Sequence, residues 1–182
     1  MAVKIEDDKV NLEKLIEGFK FVDSKSVIVG VLDDSPDIQV IASSQEFGAE
    51  IRSKKAIYYL YVLLRKFKLI NMSPKAWMEK KQVIIIPERS YIRSTTDDSE
   101  VQNKIIETME FYLYRALTAQ NTFEEILTRA GNILKRSIQA KIKSSVRPVN
   151  HPLTIAMKNS ADTLIGKSKK LIKSIEYRVV EK

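Results

Sequence analysis

The sequence predicts an α+β fold in which a small, mostly antiparallel sheet packs against a long helical hairpin. Only five Gly and five Pro occur in 182 residues, too few for the many turns of a β-sandwich and suited to long helices. Residues 26–32 (Ser-Val-Ile-Val-Gly-Val-Leu) form a β-branched run that reads as a buried strand. Between residues 97 and 138 two helical apolar patterns follow each other with about two residues between them, giving an antiparallel hairpin or one kinked rod. With 44% apolar and 30% charged residues the chain is globular in composition. Its length fits one domain over 1–182, with a helical insertion around 50–82.

Taken in order, residues 8–21 carry Val10, Leu12, Leu15, Ile16 and Phe19 as a helical apolar stripe. Asp33-Asp34-Ser35-Pro36 closes the first strand with turn chemistry. Residues 37–47 place Ile38, Ile41, Ala42 and Phe47 on helical spacing, with Gly48 where a left-handed C-terminal cap is wanted. Residues 54–68 are helical, with Ile57, Tyr61 and Leu64 as core and Tyr58 and Tyr59 as flank. Residues 69–82 read as a loop holding the single tryptophan, Trp77. Residues 83–86 are a strand stopped by Pro87, which cannot donate to a central ladder.

The first hairpin helix takes Asp97 as N-cap and buries Val101, Ile105, Met109, Tyr112, Leu113 and Ala116. The second opens on the capping box Thr122–Glu125 and buries Ile126, Ala130, Ile133, Leu134 and Ile138. A break at 147–152 precedes a short helix over 153–158 and a polar loop. Residues 171–180 form the last strand, with Ile175, Tyr177 and Val179 alternating.

Composition removes most chemistry. Without cysteine there are no disulfides, thiolate nucleophiles or Cys-based zinc sites. The single histidine, His151, has no Gly-x-Ser-x-Gly elbow to serve. Gly166-Lys167-Ser168 lacks the earlier glycine of a phosphate loop, because position 161 is alanine. Asp33, Asp34 and Asp37 read as a turn rather than a cation site. The chain is expected to be non-enzymatic, without cofactor or metal. It is also expected to be soluble, since no apolar run approaches a membrane span and no signal core follows Met1. A net charge of +8 is concentrated in residues 135–182, which suits nucleic acid or an acidic protein surface.

Four segments, in order, resemble a known family. Ala42 to Gly48 is similar to the "A-x-x-x-E-F-G" helix end of the neck and tail-completion proteins of tailed phages, also called virion-morphogenesis or tail-component proteins. Ile84 to Ser94, containing Ile86-Pro87-Glu88-Arg89-Ser90-Tyr91-Ile92-Arg93, resembles their "I-P-x-R-[SP]-[FY]-[IL]-R" segment. Thr154-Ile155-Ala156-x-Lys158 resembles their "T-I-x-x-K". Leu171-x-x-Ser174-Ile175-x-Tyr177-x-Val179 resembles their closing "L-x-x-S-I-x-Y-x-V" strand. The chain departs from the pattern at Lys167-Ser168-Lys169-Lys170, where the family has Thr-Gly.

The resemblance implies a structural virion protein at the head–tail junction, assembled in the host cytoplasm. It implies a ring, of six subunits, that completes the tail or joins it to the connector. DNA would pass through the ring without being read by sequence. The implied partners are further copies of the chain, a connector or head-completion protein, and a tail terminator or tail-tube protein, with no membrane. A tail terminator capping the tube is the alternative within the class; a basic nucleic-acid-binding module is the alternative outside it. Arg89, Tyr91 and Arg93 are expected at or just beneath the assembly interface, with arginine forks clamping a neighbour's carboxylates and tyrosine anchoring by burial. Glu46 is either a solvated helix end or a partner of Arg89 or Arg93. Phe47 is expected to plug the core, Gly48 to reverse the chain, and Pro87, Ser174 and Tyr177 to serve the fold.

Overall fold

The β-branched run near the N-terminus becomes strand β1 (Lys25–Val31), which pairs antiparallel with β4 (Ile175–Glu181) from Lys25 opposite Glu181 to Val31 opposite Ile175. A second antiparallel ribbon joins β2 (Ala49–Ile51) to β3 (Ile84–Ile86). The single small sheet expected from sequence is therefore two separate two-stranded ribbons, within the α+β class that was expected. The computed structural model describes residues 5–118, 122–144, 146–166 and 168–182, with side chains from residue 12 onward. Val10 of the predicted stripe and Lys167 of the Gly-Lys-Ser run lie outside these. By its internal contacts the chain divides into two compact units, the described residues of one lying within 1–32, 94–138 and 175–182 and those of the other within 33–93 and 139–174.

In the first unit, helix α1 (Ile5–Asp23) leads into β1. Helices α6 (Ser99–Leu117) and α7 (Phe123–Lys143) fold back on each other, with the Arg129 guanidinium 5.0 Å from the Tyr112 ring centre. That contact selects the hairpin over the kinked rod. The N-cap of α6 is Asp98, whose carboxylate accepts from Glu100 N–H, not Asp97. Helix α7 lies on the β1–β4 ribbon through Gly131: a Cβ there would stand 2.6 Å from Tyr177 Cδ2 and 3.0 Å from Val27 Cγ1. Alongside, Asn132 Nδ2 donates to the Tyr177 hydroxyl at 3.0 Å, and Lys135 pairs with Glu176 at 2.6 Å.

The stripe predicted for α1 is rotated. Leu12, Ile16 and Phe19 are exposed, while Gly18 is buried because the Phe123 ring occupies the place its side chain would fill. Ring approach at a glycine, not the sum of apolar residues, chooses the inner face.

The second unit begins with α2 (Pro36–Phe47), after which Gly48 passes directly into β2. Gly48 has φ 73° and ψ 170°, so it is not a left-handed cap. This region is open essentially to glycine alone. Helix α3 (Lys54–Lys66) buries Ile57, Tyr61 and Leu64 as expected and leaves Tyr58 and Tyr59 exposed. The predicted loop after it contains α4 (Pro74–Lys80), capped by the Ser73 hydroxyl with Pro74 in the first turn. Trp77 Nε1 donates to Ile57 O at 3.1 Å and the Tyr61 hydroxyl to Met72 O at 3.0 Å, which fold α4 onto α3.

Two short helices, α8 (Pro152–Lys158) and α9 (Lys170–Lys173), complete this unit. Residues 171–173 are thus helical rather than the start of the last strand. The buried Ser174 hydroxyl donates to Leu171 O and closes α9. The four-residue α5 (Arg93–Thr96) follows the Pro87–Ile92 segment. No helix among the described residues is long and apolar enough to cross a membrane.

Gly48→Ala should destabilise the protein by about 1–3 kcal/mol, the cost of forcing a side chain into this backbone region. The new Cβ would also sit 3.0 Å from Ile86 O. Denaturant unfolding of the two proteins measures this.

Candidate functional site

Glu46 lies on the same face of α2 as Ile38 and Ala42, four residues apart each time, and all three are buried. Helical phase therefore carries a carboxylate into the interior at the end of an apolar stripe. Phe47 is one residue further round and is 63% exposed, so it does not plug the core. Its ring instead lies under the Arg93 guanidinium, 4.9 Å from its centre.

The Pro87–Arg93 segment wraps around this carboxylate. Pro87 ends β3, and Arg89 N–H then donates to Gln45 O at 2.7 Å. Glu46 Oε2 accepts from the backbone N–H groups of Tyr91 (2.8 Å) and Ile92 (2.9 Å). Oε1 accepts from the Ser90 hydroxyl (2.9 Å), Arg93 N–H (3.0 Å) and Arg93 Nε (3.2 Å). Arg93 Nη2 also reaches Glu46 O at 3.1 Å and Glu88 Oε1 at 2.7 Å. Of the alternatives left open for Glu46, the structure shows pairing with Arg93. The solvated helix end and the pairing with Arg89 are not what forms.

Burial, the largest influence on Glu46, pushes its carboxyl upward. The N–H groups of Ile92, Arg93 and Tyr91 and the Ser90 hydroxyl outweigh it and hold the group below its ordinary value of 4.5. The bond to Glu46 holds Arg93 above its ordinary value.

Tyr91 is fully buried, with its hydroxyl directed at Ala42 O at 3.5 Å, and burial raises the phenol well above its usual range. Arg89 is 5% exposed and serves its own chain: Nε donates to Pro148 O (2.8 Å), Nη1 to Gln45 Oε1 (2.9 Å) and Nη2 to Val149 O (3.4 Å). Both residues lie beneath the surface and bond within their own chain, where the expectation placed them at or just beneath an interface. The reason is topological. The chain leaving β3 turns inward over α2 instead of outward. Of the four predicted interface residues, Glu46, Tyr91 and Arg93 meet in one network, with Arg89 bound to Gln45 beside it. Arg93, half-exposed, reaches the surface.

Ser174 and Tyr177 take part in local packing elsewhere, as described above. His151 caps α8, its Nδ1 accepting from Leu153 N–H at 3.1 Å, which accounts for it structurally. Asp33 accepts from Ser35 N–H, the turn expected there. Among the described residues no group of three His, Asp or Glu side chains is placed to hold a metal ion.

Sequence reading missed Gln45, Asn150, Lys158 and Thr163. Buried Asn150 donates to the carbonyls of Asp162 (2.8 Å) and Thr163 (3.4 Å). Lys158 Nζ donates to the carbonyls of Asp162, Thr163 and Ile165 at 3.1–3.4 Å. Lys158 was visible inside the Thr154–Lys158 motif, but its partners are carbonyls, which any residue supplies.

No family model, curated protein or solved structure matches the chain.

Glu46→Gln places an amide N–H against a convergent set of donors and should cost about 2–4 kcal/mol. A carboxyl depressed in the folded state stabilises fully above its unfolded value and loses that contribution as pH falls through the folded one. The stability gap between wild type and Glu46→Gln, measured by urea unfolding across pH, should therefore narrow below about pH 4.5.

Proposed function

We propose that the chain is a structural virion protein of the tailed-phage neck, completing the tail or joining it to the head connector as a ring around the DNA channel. The order of the four motifs supports the class. Two of them, at Glu46 and at Pro87–Arg93, are coupled through one carboxylate, so they would persist together for reasons of folding. A non-enzymatic role accords with this, because each charged group in the network is engaged in holding chain segments.

The observation that carries an assembly role is α6. This helix of 19 residues buries none of its side chains fully. Its predicted inner face is correctly phased but only half-buried, and Ile106, Phe111, Tyr114 and Leu117 are exposed. Exposed aromatic side chains such as Phe111 and Tyr114 mark a protein-contact face. Exposed Glu107 and Glu110 lie among them on the helix. A different face, on α3, exposes Tyr58, Tyr59 and Val62 around a shallow groove lined also by Lys55, with Lys54 beside it. Two dissimilar apolar faces with opposite charged rims suit head-to-tail contacts between copies, the kind of contact that closes into a ring. Interface energy then resides in the aromatic anchors, and the charges set register and partner choice.

Phe111→Ser with Tyr114→Ser should abolish the oligomer seen by light scattering while leaving the circular dichroism of the chain unchanged. Lys54→Glu with Lys55→Glu should weaken it, and Glu107→Lys with Glu110→Lys in the same chain should restore it. In purified particles a labelled copy should map to the head–tail junction. Its absence from particles, or a chain that stays monomeric at all concentrations, would overturn the reading. Retention on DNA that falls steeply with salt would favour the basic nucleic-acid module instead.

A further inference from the structure

The second unit contains a cleft of about 610 Å³ whose chemistry the assembly role does not use. Its lining combines apolar Leu60, Leu64, Ile84, Leu153 and the Trp77 ring with polar side chains that include Lys81, Arg89, Asn150, His151, Lys158 and Thr163. Volume and lining fall in the range of small-ligand sites.

The charges at this cleft do not balance. Among the described residues Arg89 and Lys158 donate only to uncharged oxygens: a glutamine amide and backbone carbonyls. Neither forms a salt bridge among the described residues. Asp162, which acts on Lys158 electrostatically, is exposed and accepts from the Ser160 hydroxyl. Burial lowers both cations below their ordinary values, and the Arg89 charge lowers Lys158 further. A guanidinium also carries more N–H donors than the three acceptors around Arg89 use.

The second sign is independent of charge. Thr163 is 4% exposed and its hydroxyl oxygen is buried without a hydrogen-bond partner among the described residues. A buried polar atom of this kind is rare unless something else satisfies it.

We propose that this cleft binds a carboxylate carried on an apolar body, with Arg89 and Lys158 facing the anion, Thr163 Oγ1 hydrogen-bonded to it, and the Trp77–Leu60–Leu64 wall covering the body. A carboxylate matches the planar donor fork of arginine. An alkyl or aryl body matches the Leu60, Leu64, Ile84, Leu153 and Trp77 part of the lining. A cationic ligand would add to an existing excess of positive charge, and a neutral one would leave it unanswered. The source is either a free acid or a glutamate-bearing apolar peptide, which share this chemistry. The cleft's occupancy is separate from ring formation, since neither exposed face described above contributes to it except through helix α3.

Trp77 is the single tryptophan of the chain and lines the cleft, so its emission reports occupancy directly. With the full chain, 4-phenylbutanoate should change this emission saturably and bind at least about tenfold more tightly than 4-phenylbutanamide. Lys158→Met, which keeps an apolar stem and removes the charge, should erase most of that preference while amide binding stays unchanged. Thr163→Val, close to isosteric, should weaken the acid about threefold to tenfold without unfolding the chain. A parallel titration with acetyl-Leu-Glu-Leu-amide identifies the source: tighter binding than 4-phenylbutanoate assigns the site to a peptide, weaker binding to a free acid. Equal affinity for acid and amide, or no change in emission with any probe at about 10 mM, would overturn the proposal.

Discussion

The second unit is organised around one buried carboxylate. Glu46 is carried inward by the same helical phase that buries Ile38 and Ala42. Once there it must be satisfied, because an ion without partners in a low-dielectric interior is too costly to persist. The chain supplies partners by turning residues 90–93 so that three consecutive N–H groups, a hydroxyl and a guanidinium converge on two oxygens. Much else follows from that turn. Tyr91 is driven into the core, α5 begins immediately after the clasp, and Arg89 is left beside Gln45 to collect the carbonyls of Pro148 and Val149. Gly48 belongs to the same arrangement. Its backbone lets β2 start one residue after α2 and pair with the strand that leads into the clasp.

The charged groups of the clasp bond internally and join the end of α2 to the segment that follows β3. The surfaces available for contact lie elsewhere, on helices whose inner faces are only half-covered. On α6 in particular, Ile106, Phe111, Tyr114 and Leu117 are exposed. Large exposed aromatic residues such as Phe111 and Tyr114 are poor for solubility and effective as interface anchors.

How much of this was legible from residues alone varied with the range of the interaction. Helices α2, α3, α6 and α8 and strands β1 and β3 were readable from periodicity and punctuation within a residue or two, and α7 at its start but not at its end, which lies five residues beyond Ile138. The α4 helix was missed although Ser73-Pro74 carried its start signal, because seven residues hold too little periodicity to register. Strand β2 was missed for a similar reason, since three residues cannot alternate. The inner face of α1 was misassigned because a glycine, counted as neutral in any apolar stripe, is where the Phe123 ring sits.

At the site, the sequence by itself singled out Glu46 and the Pro87–Arg93 segment and determined that the chain has no cysteine and a single histidine. It could not say in which direction those residues faced. Glutamate, arginine and tyrosine are each at home on a surface or in a satisfied interior, and what separates the two is whether distant backbone donors arrive. Those donors lie 44 to 47 residues away from Glu46, and the acceptors of Arg89 as far as 60. Only the tertiary structure brings them within hydrogen-bonding distance, and so only the tertiary structure showed that these residues form an internal clasp.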